Sequence, residues 1–260
     1  MSQQPHLKLY GNIFCPFVQR VRFALEALKL QYDYVEIDLL AQKHLKEEYL
    51  AINPLACVPT ININNSNIYE SLILLQFLEE QFGNIFPQDK IKRAEQRIWA
   101  NYYDQNVISN IWEVFQIYKS KDEEHLKKLA NKLAEEIRYW VKQTKLSERV
   151  KLNPKTFYEG EQLTYVDFAV VPHTRYVEDI VRVAFNKQLF DLVENDDLIR
   201  YFRTYINNVT SSEAYNKITH KLPSLPTHGE NSLLDNLNFT LETYDYSKFI
   251  RAYLTKRFDS

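Results

Sequence analysis

Apolar positions recur with two different periods along this chain, and the change from one to the other divides it. Leu7 to Tyr10 alternates apolar and polar side chains as a half-buried strand does, and Gly11-Asn12 supplies turn material. From Pro16 to Leu30 the period lengthens. Val18, Val21, Ala24, Leu25 and Leu28 recur at spacings of three and four while Arg20, Arg22 and Glu26 fall elsewhere, which predicts an amphipathic helix with those charges on its polar face. Tyr32 to Ile37 alternates again, and positions 39–50 read as a weaker helix or turn. After the loop residues Asn53-Pro54 comes an alternating run from Val58 to Ile63. Asn64-Asn65 with Ser66 then has the turn chemistry for a hairpin into Ile68 and Tyr69. A helix follows from about Ser71 to Phe82, stopped by Gly83. The predicted order is βαβ followed by ββα.

Beyond Pro87 the strand pattern is gone. Ile98, Tyr102 and Tyr103 open one helical run, and Leu126, Leu129, Leu133, Ile137 and Trp140 trace an apolar stripe through a charged segment. Thr164-Tyr165-Val166-Asp167 has the spacing of a capping box, with Asp in place of Glu, ahead of Phe168-Ala169-Val170-Val171. Pro172 is expected to kink or delimit that helix. Tyr201 to Ile218 reads as one further helix, and the two prolines between Leu222 and Thr227 predict extended chain. Taken together the pattern predicts an α/β unit over residues 1–85, an all-helical bundle over 92–222, and a C-terminal extension, 223–260, of no assigned role.

Composition narrows the function. The 260 residues are 45% hydrophobic, enough for two cores at about 100–200 residues per domain. Lys and Arg total 32 against 34 Asp and Glu, so no long-range field favours nucleic acid or an anionic membrane. The N-terminal residues lack a signal-peptide apolar core, and no run reaches the ~18 apolar residues of a membrane span, so a cytoplasmic protein is expected. Asparagine sequons at Asn64, Asn208 and Asn238 carry no weight without secretion. The six histidines show no zinc-site spacing, so no metal is expected, and four glycines in the whole chain leave no room for a glycine-rich phosphate loop.

The chemistry concentrates at Phe14-Cys15-Pro16-Phe17-Val18-Gln19-Arg20. Cys15 follows a strand and precedes a proline at the first helical position, where unpaired amides and the positive end of the helix dipole stabilise an anion. A lowered thiol pKa is expected there. A lone cysteine is more often a small buried hydrophobe, and only its place before Pro16 lifts Cys15 out of that class. Val18 stands where a resolving cysteine would be, so any redox cycle needs an external thiol.

Cys15-Pro16-Phe17-Val18-Gln19-Arg20, then Asn53-Pro54 ahead of Val58-Pro59, then Glu70-Ser71, resembles the cysteine-containing glutathione transferases, most of all their omega class, with the plant lambda class and dehydroascorbate reductases close. The motifs cover about residues 7–85; Pro87-Gln88-Asp89 and Thr164 to Pro172 add weaker likeness. The resemblance implies a thioredoxin-like, glutathione-binding N-terminal domain, a helical C-terminal domain and a homodimer. It implies that Cys15 forms a mixed disulfide with glutathione and that Phe17 lies beside the peptide. Val58 would pair its backbone with the cysteinyl part, and Pro59 would be cis. Glu70 and Ser71 would bind the γ-glutamyl end, a pairing that suits an ammonium with a carboxylate and a carboxylate with a hydroxyl and helix-start amides. Lys46, or Lys43 in its stead, would meet the glycine carboxylate. The implied reactions are thiol transfer, dehydroascorbate reduction and reductive removal of glutathione from S-conjugates, with a small electrophile, disulfide or dehydroascorbate as partner substrate.

Taken singly these residues have plainer readings: Glu70-Ser71 as a helix start, Val58-Pro59 as a trans strand entry, Lys46 as a solvated side chain. Cys57 departs from the family, which carries lysine or an apolar residue there; it reads as a core thiol or as a second trap for glutathione or a metal. Tyr102, Tyr103, Trp112, Arg175 and Tyr176 are the candidates to line a second-substrate pocket, with Arg175 drawing an anionic acceptor and His173 a surface or cap residue. Two other functions fit the same pattern: a non-catalytic binder of glutathione or apolar ligands, and a protein similar to the chloride intracellular channels.

Overall fold

A computed structural model describes residues 5–39, 41–194 and 196–220; the 223–260 extension lies outside the described residues. The first half is β1 (Leu7–Gly11), α1 (Pro16–Ala27), β2 (Tyr32–Glu36), the short α2 (Glu47–Leu50), β3 (Thr60–Ile63), β4 (Ser66–Tyr69) and α3 (Ser71–Phe82). The four strands form one mixed sheet in the order β2-β1-β3-β4, with β1 parallel to β2 and antiparallel to β3. The hairpin turns where its asparagines require, because Asn64 and Asn65 both adopt positive φ (49° and 62°), the left-handed pair that a two-residue loop uses to match strand twist. Gly83 ends α3 at φ 71°.

Gly11 is not turn material. It is the last residue of β1, paired with Glu36, and a Cβ there would meet Val18 Cγ1 at 2.6 Å. The glycine is required by the close approach of α1 to the strand that precedes Cys15. Gly11→Ala should therefore cost about 1–3 kcal/mol through overpacking, read as a lower denaturation midpoint at unchanged m-value.

The helical half comprises α4 (Lys90–Asn106), α5 (Ile111–Ser120), α6 (Glu123–Gln143), α7 (Leu146–Leu152), α8 (Tyr165–Phe185), α9 (Asp197–Thr210) and α10 (Glu213–His220). The segment from Tyr201 to Ile218 is thus two helices, broken at Ser211-Ser212. Pro172 lies inside α8 without ending it. The missing amide is tolerated in the third turn of a helix whose preceding residues, Val166 to Val171, are all buried. Asp167 closes the box at the start of α8: one carboxylate oxygen accepts from the Thr164 amide (2.7 Å), the other from the Tyr158 amide (3.0 Å). Burial pushes this carboxyl up to about 6 against those donors. The apolar stripe read from sequence is the buried face of α6, and Trp140 at its C-terminal end packs among Tyr103, Tyr158, Phe202 and Tyr205.

One continuous apolar cluster joins the sheet to the helices, running from Leu7, Leu9 and Ile61 through Phe23 to Phe168 and Tyr215. Phe23 of α1 packs edge-on against both Phe168 of α8 and Tyr215 of α10. The helix that carries the Cys15 motif is therefore held from both sides, by its own sheet and by the bundle.

Candidate functional site

The site is built on the junction of β1 and α1. Cys15 caps α1 with extended backbone (φ −80°, ψ 119°) and Pro16 follows as the first helical residue. The Cys15 carbonyl accepts the Val18 and Gln19 amides, both at 3.0 Å, while the thiol faces the Phe17 and Val18 amides. That is the geometry expected of a stabilised anion, yet the thiol is not acidic. Cys15 packs at the edge of a small apolar cluster of Val18, Ile37, Tyr49 and Val58. Burial pushes the thiol up to about 11, outweighing the pull of the Val18 and Phe17 amides; the neighbouring Cys57 adds to the push and Arg20 to the pull. The expectation of a lowered pKa is corrected on that ground: desolvation of the sulfur anion costs more here than the two amides return.

Across from Cys15 stands the turn before β3. The Val58–Pro59 bond is cis, as the resemblance implies, and both residues precede the first ladder pair, Tyr10 with Thr60. Asn53, fully buried, fixes this turn: its Nδ2 donates to the Cys57 carbonyl (2.8 Å) and to Thr60 Oγ1 (3.1 Å). Tyr49 Oη donates to the same Cys57 carbonyl at 2.8 Å. Asn53 thus braces the segment that carries cis-Pro59. Cys57 is a half-buried thiol beside it, 3.6 Å from Asn53 Nδ2. No group of three or more metal-ligating side chains occurs among the described residues.

Glu70 caps α3 at φ 72°, ψ 110°, a strained conformation for a residue with a side chain, and its carboxylate makes no capping bond. It is exposed, whereas Ser71 beside it is buried. Ser71 Oγ accepts from Arg20 Nη1 at 3.0 Å. Lys43 and Lys46 lie at the two ends of the 3-10 turn that leads into α2, with both side chains exposed.

Arg20 and Arg22 overturn the simple helical wheel. Both are buried, Arg20 to 1% exposure. Arg20 Nε donates to the Ala169 carbonyl of α8 (2.9 Å), Nη1 to Ser71 of α3, and Nη2 to Asp104 of α4 (2.5 Å). Arg22 Nη1 donates to the Ile218 carbonyl of α10 at 3.3 Å. Most of the partners of this pair come from distant segments, so little in the local sequence marks their burial.

The residues put forward for the second-substrate pocket divide. Tyr103 is fully buried and donates to Thr174 Oγ1 (2.8 Å), which itself donates to the Val170 carbonyl. Tyr102 donates to Glu136 of α6 (2.6 Å) and packs with Trp99 and Tyr139. Trp112 and Tyr176 both pack against Phe115. Arg175 is committed to Glu178 (2.9 Å) and Asp179 (3.4 Å), so it offers little field to an anionic acceptor. His173, expected at the surface, is 1% exposed and packs its ring on Phe17 with centroids 4.5 Å apart. Burial keeps it neutral, with the Arg20 charge adding to that effect. A small cavity behind it is lined by Tyr103, Val107, Ile108, Leu133, Ile137 and Thr174 among others.

The comparisons with known proteins agree with this geometry. The glutathione S-transferase N-terminal domain pattern matches residues 9–86. Glutathione S-transferase U8 of Arabidopsis thaliana is 30% identical over 173 residues, 65% of this chain and 71% of that protein. Among solved structures, omega glutathione transferase 3C of Trametes versicolor superposes with a TM-score of 0.64 at 22% identity, over 84% of this chain and 90% of that one. The tau class enzyme of mango, Mangifera indica, gives 0.66 at 22% identity, over 91% and 97%. These two structures carry the fold, and they are equally distant in sequence. With a thioredoxin-like sheet, a helical C-terminal half and a relative of this identity and coverage, the chain belongs to the glutathione S-transferase family.

Proposed function

We propose that this glutathione S-transferase is of the cysteine type, similar to the omega class, and works as a glutathione-dependent thiol transferase and reductase. The observation that supports it most is the placement of Cys15 at the start of α1, its sulfur facing the Phe17 and Val18 amides opposite cis-Pro59. In the forward step the Cys15 sulfur attacks the glutathione sulfur of a mixed disulfide. A Cys15–glutathione disulfide forms, and the other thiolate leaves and takes a proton. A second glutathione thiolate then attacks the glutathionyl sulfur, releasing glutathione disulfide and restoring Cys15. An S-conjugate enters when Cys15 attacks its glutathionyl sulfur, the C–S bond breaks and the carbon fragment leaves and takes a proton. Dehydroascorbate enters once a glutathione thiol has added to one of its carbonyl groups, Cys15 then attacking that sulfur as ascorbate leaves. Glutathione is the co-substrate; Val58 would pair with its cysteinyl backbone, Lys46 or Lys43 with its glycine carboxylate, and Glu70 and Ser71 with its γ-glutamyl end. A cytoplasmic homodimer belongs to the same proposal.

The packing of Cys15 against Val18, Ile37, Tyr49 and Val58, which disfavours its thiolate, favours a second reading. A Cys15 that stays protonated can donate an S–H hydrogen bond to the thiolate of bound glutathione, supporting addition of glutathione to an electrophile in the way a hydroxyl would. Intact mass after incubation with glutathione disulfide separates the two. A single adduct on Cys15, removed by excess glutathione, is the expected result; conjugation turnover with no adduct would overturn the mixed-disulfide cycle in favour of the donor role.

Glu70 supplies a test of the binding assignment. Its carboxylate is free of capping duties, so Glu70→Ala should leave α3 intact while raising KM for glutathione about tenfold, with kcat changed far less, as expected for loss of one charge-assisted contact made equally in ground and transition states. Steady-state kinetics at varied glutathione checks it, and an unchanged KM would remove Glu70 from the site.

A further inference from the structure

The loop that presents Cys15 is short and is held by one carboxylate from a neighbouring strand. The parallel register of β1 and β2 sets Glu36 directly beside Gly11, where β1 leaves the sheet. Glu36 Oε1 accepts from Asn12 Nδ2 at 2.8 Å and from the Ile13 amide at 3.4 Å. Asn12 passes the constraint on: its Oδ1 accepts the Phe14 amide (3.1 Å) and its carbonyl accepts the Cys15 amide (3.0 Å). Asn12 Nδ2 also reaches the Ile37 carbonyl at 3.3 Å. Every residue from Asn12 to Cys15 is thereby tied, directly or through Asn12, to Glu36.

The other carboxylate oxygen is occupied as well. Glu36 Oε2 accepts from Tyr34 Oη at 2.9 Å, and the Tyr34 ring lies under the Arg22 guanidinium, 5.5 Å from its centroid. Arg22 in turn reaches the Ile218 carbonyl of α10. Glu36 is half-buried. Burial pushes its carboxyl above the usual range, and Asp38 adds to that, while Tyr34, the Ile13 amide and Arg22 pull it down. A half-buried carboxylate at the edge strand of a sheet is costly to keep there without partners, and this one has three donors, none of them a cation in direct contact.

We infer that Glu36 is a positioning residue for Cys15: through Asn12 and the Ile13 amide it fixes the loop so that the Cys15 sulfur faces the Phe17 and Val18 amides. Its action is through its hydrogen bonds to Asn12 and the Ile13 amide. Without Glu36, the Asn12 side chain loses its anchor, the Cys15 amide loses a fixed acceptor, and the sulfur samples positions away from the two amides. The inference rests on Cys15 being the reacting group and is independent of which reaction it performs.

The test reads Cys15 directly. Wild type, Glu36→Ala and Glu36→Gln are alkylated with iodoacetamide across roughly pH 6 to 10, and the rates at Cys15 and Cys57 are followed separately by peptide mass in the same samples. The amide of Glu36→Gln keeps an oxygen for Asn12 and Ile13 and can donate to the Tyr34 hydroxyl oxygen. Glu36→Ala should slow Cys15 about tenfold at neutral pH, with its reactivity profile displaced to higher pH, while Cys57 keeps its rate and Glu36→Gln stays within about twofold of wild type. An unchanged Cys15 rate in Glu36→Ala overturns the inference. So does a rise at both cysteines together, which reports general loosening, or a Glu36→Gln as slow as Glu36→Ala, which would make the charge the active feature. Because iodoacetamide needs no glutathione, failure of the thiol-transfer cycle and failure of this inference are distinguishable.

Discussion

Cys15→Ser should lower glutathione-coupled reduction of a small mixed disulfide by about a thousandfold or more, because a serine hydroxyl forms no mixed disulfide and the nucleophile of a covalent cycle acts as part of a unit. The fold should tolerate the change, since Cys15 caps α1 through its carbonyl and makes no side-chain capping bond. The raised thiol pKa adds a pH signature. With a value of about 11, the thiolate at neutral pH is a fraction on the order of one in ten thousand, so the rate at Cys15 in the absence of glutathione should climb about tenfold per pH unit and level off near 11. The sign for stability is fixed by the same shift. A native pKa above the ordinary thiol value contributes stability that is present below that ordinary value and lost as pH rises through 11. Alkylation rates and denaturation midpoints on alkaline titration check both. Thiol-transfer turnover that survives Cys15→Ser would overturn the assigned nucleophile, and a rate flat from neutral pH upward would mean that the amides of Phe17 and Val18 outweigh burial.

Local grammar was legible where local physics decides. The Asn64-Asn65 turn, the stop at Gly83, the Thr164 to Asp167 box and the stripe on α6 were all read from side chains a few residues apart, and each stands at the position read. The Cys15-Pro16 helix start belongs with them. What sequence could not supply were features decided by distant partners. Arg20 and Arg22 read as a polar face because a charge on a helix is ordinarily solvated; Ala169, Ser71, Asp104 and Ile218, up to 196 residues away, are among the partners that make their burial possible. Gly11 reads as a turn until Val18 is seen against it. The thiol pKa fails for the same reason: helix-start amides are visible in sequence, whereas the desolvation that outweighs them comes from a cluster gathered out of α1, α2 and the turn before β3. Tyr102, Tyr103 and Trp112 on α4 and α5 have partners in Glu136, Thr174 and Phe115 that their helical spacing does not reveal, and the histidine read as peripheral backs the Phe17 ring.

Arg20→Ala should be the most destabilising single change near the site, at about 3–5 kcal/mol. The guanidinium joins three helices at once, α8 through the Ala169 carbonyl, α3 through Ser71 and α4 through Asp104, and its stem is among the largest fully buried side chains. Truncation leaves the Ala169 carbonyl and the Ser71 hydroxyl without that donor and opens a void in α1. Asp104 softens the loss, because its side chain is 32% exposed and can be rewetted, which places the cost toward the lower end of the range. At about 2–4 °C per kcal/mol for a chain of this size, the melting temperature should fall by roughly 10 °C. Arg20→Lys should recover little of it, since an ammonium cannot place three donors along the fork that these acceptors define. The same variant bears on function through Ser71: freed from Arg20, its hydroxyl loses a fixed orientation, so KM for glutathione should rise in Arg20→Lys beyond what its stability loss at the assay temperature explains. Thermal denaturation of both variants, with kinetics at varied glutathione on the lysine form, checks the pair. A melting temperature within a degree or two of wild type would mean that the three contacts are replaceable, and that the helical half holds α1 by its apolar face alone, through Phe23 against Phe168 and Tyr215.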